Sequence, residues 1–435
     1  MRRIQFERFR KEDKSMNLLE MAIGNLFRKT GETKKLSIPG QANATYDVYA
    51  IPLEYLYYND QNGRINTAYK KYKAENGELT PEIGNSMYNE IFEQFIYESN
   101  TQAMKDTLQS IKDKTQQEPG VVLTDGRVID GNRRFTALRK YQAEDGIPKT
   151  FNAVILPLNT KTKTDEKIIK KLELDLQLGR EERVSYDPID RIFDVYNTIK
   201  VEELMTIEEY KQASGAGNTK GINRDIRLAE LILRFIEIVS PGGNPVDKFY
   251  LARDLKLDGP MEEIESTITK LKAEHKDGEA ITEAALVHLA VSKTDENQKD
   301  STRVMRDLKK NVLKNPEILS HYGKMADEKI DTIMDAFVAN PIKSSNELKV
   351  VLSKDEEIIK ATQKLQKGTS ELMFRGEKDT KRRKAVVELE SIRDSLEELG
   401  AEDFSELTVD ENIEAKSILK DITDILFKLK KDLRI

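Results

Sequence analysis

The spacing of apolar residues along this chain changes twice. Between residues 46 and 58 (YDVYAIPLEYLYY) β-branched and aromatic residues crowd together and are broken by Pro52, which predicts a strand and a turn. From 66 to 118 the period lengthens. Met87, Ile91, Phe92, Phe95 and Ile96 fall at helical spacing, as do Met104, Leu108 and Ile111. Short runs return at Val121, Val122 and Leu123 and again at Arg127, Val128 and Ile129, with Asp125-Gly126 between them as a hairpin turn. A helix is predicted over about 133–143, and FNAVILPL (151–158) reads as one more strand. From 161 onward nearly every segment is helical in period, interrupted at SGAGNTKG (214–221), SPGGNPV (240–246) and LDGP (257–260).

This pattern predicts an α+β protein. Residues 1–45 read as a basic arm with one short amphipathic helix near Met16–Phe27. Residues 46–160 form a mixed α/β domain with a helical insertion near 66–107. A helical stretch over 161–260 contains a helix-turn-helix, and 261–435 is a C-terminal helical region without internal repeat.

Composition narrows the chemistry. The 435 residues, enough for about two to four domains, are 34% charged, yet the net charge is only −6. Such a chain does not coat nucleic acid along its length, so any DNA contact is confined to one basic face. There is no cysteine and no tryptophan, which excludes disulfides, thiolate metal sites and cysteine nucleophiles. The three histidines, His275, His288 and His321, have no ligand-like spacing, which argues against a histidine metal centre or a Ser-His-Asp triad. A magnesium ion held by carboxylates and a nucleotide stays open. The N-terminus lacks the apolar core of a signal peptide, and no run approaches the roughly 18 apolar residues of a membrane span. A cytoplasmic protein without a membrane partner is expected.

The densest chemistry lies in VVLTDGRVIDGNRRFTALR (121–139), around DGNRR. A strand there turns at Asp130-Gly131 into a helix carrying Arg133, Arg134 and Arg139. The first N–H groups of a helix are unpaired and its dipole is positive there, and arginine adds planar oxyanion contacts. Two readings compete on local pattern alone: a phosphate cradle, and an ordinary turn followed by a solvated arginine face.

Four stretches in order resemble the ParB/sulfiredoxin-like superfamily, specifically ParB-type partition proteins. IPLEYLYYNDQNGRI (51–65) is similar to the family's opening box. LQSIKDKTQQEPGVVLTDGRVIDGNRRFTAL (108–138) is similar to its central segment, and LELDLQLGREERVSYDPIDRIFDVYNTI (172–199) to its third box. MTIEEYKQASGAGNTKGINRDIRLAEL (205–231) resembles the helix-turn-helix that follows. The resemblance covers roughly 46–235. It implies a nucleoside triphosphate, CTP or ATP, with Mg2+, held by Gly131, Asn132, Arg133 and Arg134, with Arg64 and Thr136 nearby. It further implies that Gln177 contributes from the third box and that Asp175 or Glu173 holds the metal. ParB usually has Glu where this chain has Asn132, which weighs against hydrolysis more than against binding. Relatives with DGQHR or DGQQR at this turn are NTPases or NTP-dependent nucleases of DNA-modification and phage-defence systems, an alternative function for this chain.

The helix pair can also be read directly. Thr206 can cap a first helix, Gly215 and Gly217 allow a tight turn, and Thr219 can cap a second helix. Ile222, Ile226 and Ala229 make an inward stripe, leaving Lys220, Asn223, Arg224 and Arg227 for DNA. An ordinary helical hairpin with a solvated basic face is the competing reading. The basic run KRRK (381–384) reads first as a solvated helix face. Near the C-terminus Ile418, Ile422, Ile425, Leu429 and Leu433 approach heptad spacing, either for packing within the C-terminal region or for a homodimer.

Overall fold

Runs that are apolar at consecutive positions become strands buried on both faces. In β4 (Gly120–Leu123), β5 (Arg127–Asp130) and β6 (Thr150–Leu156), alternate side chains enter two different cores, because successive Cβ atoms point to opposite sides of a sheet. On one face Val121, Leu123, Ile129, Val154 and Leu156 pack with Ile169, Leu172 and Leu176. On the other, Val122, Val128, Phe151 and Ile155 pack with Tyr88, Phe92, Met104 and Phe135. The computed structural model describes residues 17–38, 44–158, 160, 162–178, 187–295, 300–327, 330–382, 384–404 and 407–434. Residues 1–16 of the expected basic arm and part of the third box, 179–186, lie outside the described residues.

The six-stranded sheet has the order β1-β2-β6-β4-β5-β3, with β1 over Arg28–Leu36, β2 over Ala44–Pro52 and β3 over Tyr57–Tyr58. β4 runs parallel to β6 and β3 parallel to β5, while the other neighbours are antiparallel. Within the stretch expected to be an arm, only the short helix α1 (Leu18–Ile23, capped by Asn17) matches expectation. β1 does not. Its sequence, RKTGETKKL, buries only Lys34 and Leu36, so it has almost no apolar period to read. Pairing with β2, from Arg28 opposite Ala50 to Leu36 opposite Ala44, makes it a strand. Its exposed lysines suit a sheet edge, where they discourage further pairing.

Helices cover both faces of the sheet. The segment expected as an insertion forms α2 (Asn66–Asn76), α3 (Ser86–Ser99) and the first half of α4 (Thr101–Lys114). α5 (Asn132–Asp145) packs beside α3 and α4 on the same face. α6 (Lys163–Leu178) covers the opposite face with Leu172 and Leu176, and turns Leu174 into a separate cluster with Val195, Met205, Tyr210, Ile222 and Ile226.

Beyond the sheet the described residues are helical. α7 (Pro188–Tyr196) starts with Asp187 as its cap, and α8 (Ile207–Ser214) and α9 (Lys220–Val239) form the expected helix pair. α9 then runs into the largest core. There it meets α10 (Tyr250–Asp254), α11 (Asp258–Glu274), α12 (Gly278–Ser292) and the first half of α17 (Glu356–Arg382), with α13 (Ser301–Leu308), α14 (Pro316–Asp327), α15 (Asp331–Ala339) and α16 (Ser345–Leu352) around them. α18 (Lys384–Glu398) and α19 (Val409–Asp432) follow, and α19 has no buried residue. Among the described residues no helix is long and apolar enough to cross a membrane.

Polar contacts join the sheet to the helical region through α2. Thr67 donates a hydrogen bond to the buried Asp190 carboxylate, and Arg253 reaches the same carboxylate at 3.0 Å. Lys70 meets Asp247 at 3.2 Å and Lys71 meets Asp254 at 2.6 Å.

Candidate anion-binding cleft

β5 ends at Asp130, and Gly131 redirects the chain into α5. Gly131 has φ +94°, and a Cβ there would lie 2.9 Å from Phe151 Cζ and 3.1 Å from Arg134 Nη2. Both the left-handed backbone and the close approach therefore require glycine. No side chain caps the 14-residue helix that follows, and its first N–H groups have no intrahelical acceptor. A second element brings in Arg64. The Asn62 side chain accepts from the Arg64 backbone N–H at 3.0 Å and starts the 3-10 turn Gly63–Ile65. Asn62, Arg64, Gly131, Asn132, Arg133 and Arg134 thus line one cleft of about 1000 Å³.

The two adjacent arginines differ in their surroundings. Arg134 Nη2 lies 3.2 Å from Asp130 Oδ2, and its Nη1 donates to the Glu118 carbonyl at 2.7 Å. Asp130 is also held by Lys34, 3.3 Å away, from strand β1. Arg133 has no hydrogen-bond or ion-pair partner among the described residues. Burial, then the neighbouring Arg64 and Arg134 charges, lower its guanidinium pKa to about 10, with Asp130 opposing them. Three arginines and three carboxylates line the cleft as a whole, but Asp106 stands on the α4 wall and Glu118 and Asp130 are both held by Arg134, so the positive charge at Arg64 and Arg133 is left concentrated at the start of α5, where an anion is favoured.

Asn132 adds an independent mark. It is 7% exposed, lines the cleft, and its Oδ1 is buried without a partner. An unmet buried polar atom costs about 1–3 kcal/mol.

The other expected site residues lie elsewhere. Thr136 is fully buried and shares a 2.8 Å hydrogen bond with the Tyr58 hydroxyl, so it serves the core and not the cleft. The Gln177 side chain lies outside the described residues, although Leu176 beside it lines the cleft. Glu173 is buried and lines a second cavity of about 400 Å³ with Lys170, Glu202 and Asp60. Asp175 is exposed and lines neither cavity. Residues two apart on a helix do not share a face, and neither carboxylate lines the cleft with Arg133. Among the described residues no three acidic or histidine side chains converge as a metal set.

The helix pair forms with altered details. Thr206 and Glu209 make a full capping box on α8, and Gly215 at φ +67° ends it. Thr219 makes no capping bond; Asn218 Oδ1 accepts from the Lys220 N–H at 2.8 Å instead. Ile222, Ile226 and Ala229 face inward as expected. The four residues expected to meet DNA are all engaged within the chain. Lys220 lies 3.3 Å from Asp403, and Arg224 lies 3.4 Å from Glu262. Arg227 pairs with Glu265, and Asn223 donates to the Thr219 carbonyl at 2.9 Å.

Sequence reasoning missed Lys34 and Glu118, which position Asp130 and Arg134. It also missed the face of α4 that lines the cleft. Nothing local marks these residues, since β1 and the α4–α5 packing bring them in from a distance. No protein-family model, curated protein or solved structure matches this chain.

Proposed function

We propose that the chain is a ParB-like protein that binds a nucleoside triphosphate, CTP or ATP, in the cleft at the DGNRR turn. The observation that carries this reading is Arg133, a partly buried cation near Arg64 that makes no hydrogen bond or ion pair among the described residues, at an uncapped helix N-terminus. A triphosphate supplies the missing negative charge and accepts from the free N–H groups. Asn132 lines the same cleft beside it. Glu173 and Asp175 do not line this cleft and do not fit a role as magnesium ligands in it.

Titration calorimetry with CTP, ATP and inorganic tripolyphosphate tests the reading. Binding by the wild type that weakens at least about tenfold in Arg133→Ala supports it, a loss of about 1.4 kcal/mol. No binding of any of the three overturns it. Sustained phosphate release, lost in the same variant, would shift the reading to the NTPase or NTP-dependent nuclease alternative.

Two partner proposals accompany it. DNA contact through α8 and α9 would exchange Glu262, Glu265 and Asp403 for phosphates at Arg224, Arg227 and Lys220. Such binding would weaken steeply with salt. A homodimer would cover α19. Leu419, Ile422, Leu426, Leu429 and Leu433 alternate at spacings of three and four, none is buried, and Asn412 falls seven residues before Leu419 in the same phase. A single polar residue in such a seam sets register between two copies of one helix.

A further inference from the structure

We infer that α4 is the nucleoside side of the cleft, with Asp106 and Ser110 receiving the sugar hydroxyls of a ribonucleotide. This rests on the triphosphate reading above. All the arginines lining the cleft come from the Gly63–Ile65 turn and the start of α5. The facing wall includes Asp106, Thr107, Ser110 and Ile111 of α4, a single helical face at i, i+1, i+4 and i+5. α4 contributes no cation to that wall. Its Lys112 is paired with Glu144 instead.

The charge distribution orients the ligand. At the arginine end the lining carboxylates Glu118 and Asp130 are engaged by Arg134, whereas Asp106 faces no lining cation on α4, so the triphosphate lies toward Arg64 and Arg133 and the uncharged half of the nucleotide toward α4. Three neighbouring polar side chains on this side are already used. Gln116 donates to the Glu118 and Asn152 carbonyls and accepts from the Asn152 N–H. Ser99 donates to the Ile96 carbonyl and Thr107 to the Ala103 carbonyl. Asp106 uses Oδ1 to accept from Gln102 at 2.8 Å, leaving Oδ2 for a ligand. The exposed Ser110 hydroxyl has no partner among the described residues. An acceptor-only carboxylate and a free hydroxyl one turn apart match a pair of sugar hydroxyls. A cleft of about 1000 Å³ has room for both halves of the nucleotide.

Calorimetry on the full chain separates this inference from the reading beneath it. The ligands are the ribonucleoside triphosphate, its 2′-deoxy form and inorganic tripolyphosphate. Asp106→Ala and Ser110→Ala should each weaken the ribonucleotide about tenfold and leave tripolyphosphate unchanged, whereas Arg133→Ala weakens both. On the wild type the 2′-deoxy form should bind about tenfold more weakly than the ribo form, and equally well on Asp106→Ala. Wild-type affinity for the ribonucleotide in both α4 variants, with loss in Arg133→Ala, overturns the assignment of α4 and leaves the phosphate site standing. Equal wild-type affinity for the ribo and deoxy forms also overturns it, as does a parallel loss of tripolyphosphate. A wild type that binds none of the three overturns both readings.

Discussion

Arg134 and Asp130 close on each other across the start of α5, with Nη2 3.2 Å from Oδ2, whereas Arg133, one residue earlier, makes no ion pair among the described residues. The pair DGNRR thus contains one structural arginine and one poised for a ligand. Arg134→Ala should lower the melting temperature, since Asp130 and the Glu118 carbonyl lose a partner. Arg133→Ala should leave the melting temperature unchanged or raise it, because it removes a desolvated cation from beside two others. Thermal melts of the two variants without ligand check the contrast.

Gly131→Ala should destabilise the fold by about 2 kcal/mol, from the strain of φ +94° and the approach of Phe151. Chemical denaturation measures the loss. The same variant should weaken tripolyphosphate binding, because the start of α5 shifts with the turn.

The junction between sheet and helices should depend on pH through Asp190. Burial, outweighing Arg253 and Thr67, raises its carboxyl pKa from 3.8 to about 7. The folded state therefore holds this proton more tightly than the unfolded one. The resulting stabilisation is complete below the unfolded value and is lost as pH rises through about 7. Arg253→Ala removes the opposing charge at 3.0 Å. It should cost about 3 kcal/mol at alkaline pH and less in acid, where the carboxyl is protonated. Denaturation of both proteins across that pH range tests the crossover.

His288 works in the opposite direction. It is 2% exposed, neither ring nitrogen has a partner among the described residues, and burial lowers its pKa from 6.5 to about 4. Below pH 6.5 the unfolded chain takes up a proton that the folded chain refuses, so stability declines until pH reaches about 4. The decline amounts to about 3 kcal/mol. His288→Leu should remove this acid-dependent loss, as read from unfolding free energies on either side of that window.

α19 tests the homodimer. Ile422→Glu with Leu426→Glu should convert a dimer to a monomer in light scattering. The main thermal transition should stay in place, because nothing on this helix is buried within the chain. A wild-type chain that is monomeric at tens of micromolar would remove the dimer proposal.

Much of the fold is legible locally. The hairpin at Asp125-Gly126, the strands at 120–130 and 150–156 and the turn into α5 follow from apolar runs and turn residues a few positions apart. β1 was not legible, because RKTGETKKL carries a strand's hydrogen bonds without a strand's apolar alternation. In the candidate site, the glycine and the arginines could be read from the chain, whereas Thr136 at the Tyr58 hydroxyl could not be told from a cleft residue.

By itself the sequence determined an α+β chain with a strand–turn–helix junction rich in guanidinium groups, because dihedral preference and helix ends act over a few residues. Only tertiary structure decided which arginine is left without an ion pair among the described residues. That depends on Lys34 and Glu118 converging on Asp130 and Arg134 from other elements. It also decided that Glu173 and Asp175 turn away from the cleft, and that Glu262 and Glu265 cover the basic face of α9. Charge acts through space, and the distances that set its strength exist only once the chain has folded.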